Sequence, residues 1–280
     1  YKRQLFSDHS TAGFERGCPS QSARPIFVFY RESDIMNYAS YLQLNQLLSL
    51  QQPASPSAEH RNENLFIITH QTYELWFKQL IDELHLAIAL IEEGDIPAAI
   101  ETMTRVNAIT QTVVNQIAVI CTLKFHEFQR FRSYLGTASG FQSYQFAGIE
   151  ALLGKENPKK LQQYQGDEEA QRRLAAIIQP VSLWQAIRGH LMRLNDQPNQ
   201  AAQGFDDIIR QSLTRSGCES LLLNQLLDLD SLLQEWRYRH VKLVERTIGQ
   251  RKGSGGSSGS DYLKSTLFTP IFDELWNAIN

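Results

Sequence analysis

Two histidines and one arginine sit where their chemistry is usable. His70 lies in "LFIITHQTYELWF", one helical turn after Phe66 and just ahead of Trp76 and Phe77. His240 lies in "WRYRHVKLVERTIG", on one helical face with Trp236, Leu243, Val244 and Thr247. Arg132 stands beside Phe131 and two residues before Tyr134 in "FRSYLGTASGFQS". A planar guanidinium in such a setting can hold a carboxylate through two parallel hydrogen bonds, or it can pair with a structural acid.

Two helices that each offer one imidazole among aromatic rings could clamp a flat apolar cofactor such as haem. That group needs a neutral imidazole on its iron and a large apolar surround. The same pattern also suits two core histidines bonded to backbone carbonyls, because single histidines in helices are common. Other chemistries find less support. The seven histidines form no HxxxH, HExxH or ExxH spacing, which argues against a di-iron carboxylate bundle or a zincin. Asp228 and Asp230 lie two apart and so point in different directions on a helix. No GxSxG elbow is present. The basic run Arg237, Arg239, Lys242, Arg246, Arg251 and Lys252 is interleaved with Glu235 and Glu245, as a solvated, ion-paired helix face would be.

The elements that must carry these residues read as helices. From Met36, "MNYASYLQLNQLLSLQQP" has apolar residues at helical spacing and stops at Pro53. A second segment runs about thirty residues without Pro or Gly up to Gly94, with a stripe of Leu65, Ile68, Leu75, Phe77, Leu80, Leu84 and Ile88. Asp95 and Pro97 then read as the N-cap and first turn of another long helix. Shorter, more polar segments between about 155 and 205 form a small helical excursion. The segment "SLLLNQLLDLDSLLQEWRYRHVKLVERTIG" is again helical until Gly249. Strand signals are scarce, so the expected fold is all-α, a bundle of long helices. Residues 1–35 read as an N-terminal arm, and 36–280 as a single all-α domain.

The chain has 280 residues, 42% hydrophobic, with a net charge of −3, so no global field draws it to nucleic acid or an anionic membrane. Its three cysteines are far apart and odd in number, which points to a reducing, cytoplasmic setting rather than a disulfide framework. Its longest apolar runs fall far short of the ~20 residues of a membrane span. The stretch "RKGSGGSSGS" (251–260) has neither the spacing of a P-loop nor a preceding strand. It reads equally as a flexible linker or as a loop whose backbone N–H groups and hydroxyls approach a charged ligand.

Three segments together, "LFIITHQTYELWFKQL" (65–80), "FRSYLGTASGFQSYQF" (131–146) and "WRYRHVKLVERTIGQRKGSGGSSGSDYLKST" (236–266), resemble the haem-dependent tryptophan 2,3-dioxygenases. The resemblance covers roughly residues 36 to 280. It implies an all-α homotetramer, a dimer of dimers, with one haem b per subunit and O2 as co-substrate. The implied reaction inserts O2 across the indole C2–C3 bond of L-tryptophan to give N-formylkynurenine. By position, His240 would be the axial iron ligand, with Trp236 beside the cofactor and Ser139 near its edge. His70 would be the distal catalytic histidine that bonds the indole N–H. Phe66, Phe128 and Leu135 would wall the indole pocket, and Arg132 would bind the substrate carboxylate. Gly253 and Ser254 would meet the ammonium group, and Tyr38 and Tyr41 would complete a neighbouring subunit's pocket. Ser254 stands where the family usually has Thr, and Ile117 where some bacterial members carry Trp. These departures leave room for a monooxygenase of a substituted indole on the same scaffold. A non-enzymatic haem sensor is the rival from another class.

Overall fold

The computed structural model describes residues 36–155, 164, 166–195, 204–249, 251 and 263–279. The chain divides into two compact units, Tyr1–Ser49 and Leu50–Asn280. In the first, α1 (Tyr38–Tyr41) and α2 (Leu44–Leu47) are single turns rather than the one longer helix that the apolar spacing predicts. Asn37 and Ser40 close a reciprocal capping box around α1, and Gln43 turns left-handed at φ 51° before α2. No residue of either turn is buried, so the helix has no core to outweigh its costly nucleation.

The second unit is built on two long helices joined by a tight corner. Helix α3 (His60–Glu93) ends at Gly94, whose φ of 87° lets the chain reverse while Asp95 N–H reaches back to the Leu90 carbonyl at 2.9 Å. Asp95 then caps α4 (Ile96–Ile120) by accepting from Ala98 N–H at 3.2 Å, with Pro97 in the first turn as expected. The buried line of α3 is Phe77, Leu80, Leu84, Ile88 and Ile91. Ile68 and Leu75 leave the predicted stripe: they are 47% and 52% exposed, on a line of their own seven residues apart.

Helix α4 lies in the middle. Along one flank it packs on α3 and along the other on α10 (Cys218–Ile248), which carries the second histidine. Between them in the chain come α5 (Phe125–Phe131), α6 (Tyr144–Leu153), α7 (Glu168–Ile177), α8 (Leu183–Asn195) and α9 (Phe205–Thr214). The excursion between 155 and 205 holds α7, which packs on α6, and α8, which packs on α3. Helix α8 buries Leu183, Ile187 and Leu191 completely in the main core. The last helix, α11 (Asp273–Ile279), follows Pro270 and docks on α9 and α10.

One buried charge holds that C-terminal segment. Asp230 on α10 is fully buried, and its Oδ2 accepts from the backbone N–H of Ile271 and Phe272 and from the Trp276 indole at 2.9–3.0 Å. Asp228 is exposed, so the two aspartates do diverge. Among the described residues there is no strand, and no single helix is long and apolar enough to cross a membrane.

Candidate active site

Because α4 separates α3 from α10, their facing sides enclose a space. It is a cavity of about 290 Å³, at the small end of the usual range for ligand pockets. Helix α3 contributes Phe66, Thr69, His70, Tyr73, Glu74 and Phe77, and α4 closes the back with Ile117 and Ile120. Phe128 of α5, the short turn Arg132–Leu135 and Ser139 form another wall. Helix α10 faces them with Trp236, Arg237, His240, Leu243, Val244 and Thr247. The sequence-derived residues Phe66, His70, Phe128, Arg132, Leu135, Ser139, Trp236 and His240, up to 174 positions apart in the chain, thus share one cavity, as does Ile117. Gly253 and Ser254 lie outside the described residues. Tyr38 and Tyr41 belong to the other unit, where both side chains are largely exposed.

The two imidazoles are held differently. His70 Nδ1 lies 2.7 Å from the Phe66 carbonyl oxygen. A carbonyl can only accept, so Nδ1 carries the proton and Nε2 keeps its lone pair. The Phe66 ring covers the imidazole at 4.1 Å between centroids. Burial pushes the His70 pKa below its ordinary value, opposed by the Phe66 carbonyl and by the Glu74 carboxylate one turn on. His240 has no hydrogen bond to either ring nitrogen among the described residues. Instead it stacks on Trp236, with centroids 5.2 Å apart and planes at 25°. Burial, and then the nearby His70, push its pKa down to about 4. Both rings are therefore neutral at physiological pH, the form that can bind a metal or accept a proton.

The His70 side is the more aromatic. Phe66 packs on Phe128 and Phe131 at 5.8 Å each, and those two meet edge-to-face at 5.3 Å. Leu135 and Leu243 pack against the same cluster. Arg132 begins the turn directly after α5, so the guanidinium stem leaves the chain beside this apolar wall. Ser139 caps the next turn, accepting from Phe141 N–H at 3.3 Å while Gln142 returns a bond to Ser139 N–H. Among the described residues nothing accepts its hydroxyl proton, which a ligand could take up.

Several contributors carried no sequence signal. Glu150 on α6 faces Arg237 at 3.7 Å, and Arg237 also donates to the Thr269 carbonyl at 2.8 Å, so this charge pair belongs to the cavity wall. Leu263 and Thr266, beyond the Gly/Ser stretch, line the cavity as well. Elsewhere in the basic run Arg239 pairs with Glu235 and Lys242 with Glu245, as the Glu-interleaved pattern predicts, while Arg251 donates to the Gln129 side chain and Lys252 lies outside the described residues. Among the described residues no group of three or more His, Cys, Asp and Glu side chains could hold a bare metal ion.

The family model for tryptophan 2,3-dioxygenase matches residues 29–215 and 212–280. A tryptophan 2,3-dioxygenase from Anaeromyxobacter dehalogenans is 41% identical over 258 residues, covering 87% of this chain and 95% of that protein. One from Herpetosiphon aurantiacus is 40% identical, covering 87% and 97%. One from Bacillus cereus is 36% identical, covering 86% and 91%. The all-α architecture, the paired imidazoles on one cavity and matches that run along nearly the whole of each relative lead to one conclusion: the chain belongs to the tryptophan 2,3-dioxygenase family.

Proposed function

We propose that this protein is a haem-dependent dioxygenase that inserts both atoms of O2 across the indole C2–C3 bond of L-tryptophan, giving N-formylkynurenine. The observation that carries the reading is the pair of neutral imidazoles, from α3 and α10, on one apolar cavity. The residues present suit a haem. His240 is neutral, its ring nitrogens are unclaimed among the described residues, and the lining around it is mainly aromatic and aliphatic. Bound there, the haem would supply the binding and activation of O2.

The chain's own groups then have distinct tasks. His240 would hold the iron of one haem b, with Trp236 stacked behind it and Ser139 near the edge of the cofactor. His70 belongs on the substrate side, because Phe66, Phe128 and Leu135 gather next to it and suit an indole ring. Its Nε2 lone pair is the acceptor an indole N–H requires. Arg132 would take the carboxylate in a bidentate pair, and Gly253 with Ser254 would meet the ammonium group. A ring, a carboxylate and an N–H held together fix the amino acid's orientation toward the reacting oxygen. Tyr38 and Tyr41, exposed on their own unit, would complete the pocket of a neighbouring subunit in a homotetramer. A reducing cytoplasm suits the unpaired thiols of Cys121 and Cys218.

The decisive experiment is product analysis with 18O2. Reduced enzyme and L-tryptophan should give a ring-opened product carrying two labelled atoms. One label in a ring-intact product would overturn the dioxygenase reading. A purified protein from haem-supplied cells should show a Soret band that His240→Ala weakens, and its absence would overturn the haem assignment.

A further inference from the structure

We propose that Tyr73 is a positioning residue for His240, acting through Trp236. The inference rests on the haem reading and asks what orients the imidazole that would hold the iron. An imidazole that binds a metal is normally aimed by a hydrogen bond from its other ring nitrogen to a carbonyl or carboxylate. His70 has such an anchor in the Phe66 carbonyl, whereas His240 has none among the described residues. What His240 has is the face of Trp236.

Trp236 is itself held on two sides. Phe146 of α6 packs on it at 5.0 Å and Phe77 of α3 packs on Phe146 at 5.5 Å, with Tyr73 next in the row at 6.0 Å from Phe77. This chain of rings runs under the cavity from α3 through α6 to α10. Among the described residues the buried indole N–H of Trp236 makes no hydrogen bond of good geometry, and the Tyr73 hydroxyl lies near enough to serve as its acceptor. An indole N–H can only donate. Tyr73 donates its single proton to the Val113 carbonyl of α4 at 3.2 Å, which leaves its oxygen lone pairs turned to accept. Burial pushes the phenol up to about 12, so that proton stays in place and the polarity is fixed from Trp236 through Tyr73 to Val113. A small movement of either ring completes the bond, and the three long helices are then joined directly behind His240.

The test uses Tyr73→Phe, which keeps the ring and removes only the hydroxyl. In the haem-free protein the Trp236 indole N–H resonance, assigned with Trp236→Phe, should move upfield in Tyr73→Phe. In the haem-loaded protein the iron–histidine stretching band should shift, and haem should pass to a scavenging apoprotein about tenfold faster, the low end of what loss of an outer-shell partner does. Trp236→Phe retains a stacking ring without the N–H. It should shift the same band, and adding Tyr73→Phe to it should change nothing more. An unmoved indole resonance in Tyr73→Phe overturns the tie. A moved resonance with an unchanged iron–histidine band and unchanged haem transfer overturns the positioning role. If the wild type takes up no haem, the proposed function and the positioning role fall together, while the indole resonance still decides the tie.

Discussion

Mild acid should destabilise the haem-free protein chiefly through His240. Burial keeps this imidazole neutral in the native chain down to about pH 4. In the unfolded chain the same group takes up a proton near pH 6.5. Between those values the unfolded state binds a proton that the native state refuses, so stability falls as the pH falls, whereas above about 6.5 neither state binds it and nothing is lost. The whole gap corresponds to about 3 kcal/mol, a large part of a typical net stability of roughly 5–15 kcal/mol. His70 adds in the same direction, since burial lowers its pKa too. Carboxylates must be kept out of the comparison. The Glu63 and Glu274 pKa values are held below 4.5 by hydrogen bonds, so the stability they contribute disappears only as the pH falls through and below that range. Urea denaturation at about pH 7.5 and about pH 5 therefore isolates the imidazoles, and over that interval His240 accounts for roughly 2 kcal/mol. Haem-free wild type should lose about that much more than His240→Leu, which has nothing to titrate at this position. Equal losses in the two proteins would refute the reasoning, because they would mean that water reaches His240 freely in the folded state.

Three further outcomes follow from the geometry. Asp230→Ala removes the acceptor shared by two backbone N–H groups, the Trp276 indole and the Gln234 amide, and should cost roughly 3–5 kcal/mol in urea denaturation, while Asp230→Asn keeps an oxygen and should cost about 1–2 kcal/mol. Protease should then cut within residues 263–279 first, and an uncut segment in Asp230→Ala would sink this account. Arg132→Leu should raise the tryptophan KM by the roughly 2–4 kcal/mol that truncating one partner of a buried charge pair costs, with the haem spectrum kept; an unchanged KM would remove Arg132 from the site. Gly148→Ala places a methyl 2.5 Å from Ile177 Cγ2, where α6 meets the end of α7, and should cost roughly 1–3 kcal/mol. Combining it with Ile177→Ala should relieve the clash, so strictly additive losses would show that the contact is not the cause.

Much of the scaffold was legible because its signals are local. The Gly94 stop, the Asp95 cap and Pro97 all act within one turn of the helix ends they define, and each stands where the spacing puts it. His70 and His240 could be picked out because their aromatic neighbours lie one turn away on the same helix. The N-terminal turns show the limit of such reading. The apolar spacing after Met36 is helical, yet without a buried face the local caps and the left-handed Gln43 win. Ile68 and Leu75 mislead in the opposite way, because an apolar residue in a long helix need not lie on the line that meets the core.

The amino-acid sequence by itself determined an all-α chain of long capped helices, and it marked two imidazoles and an arginine in apolar settings. That information is carried by periodicity and by neighbours within a turn. Only the tertiary structure decided that α4 stands between α3 and α10, so that the two histidines open onto one cavity. It also decided that Glu150, Arg237, Leu263 and Thr266 share that wall, and that Asp230 is a buried acceptor where Asp228 is a solvated charge. Besides the Gln234 amide one turn on, the partners of Asp230 are two backbone N–H groups and an indole about forty residues away. Backbone donors are present at nearly every residue, so no pattern of side chains along the chain announces which of them a buried carboxylate will meet.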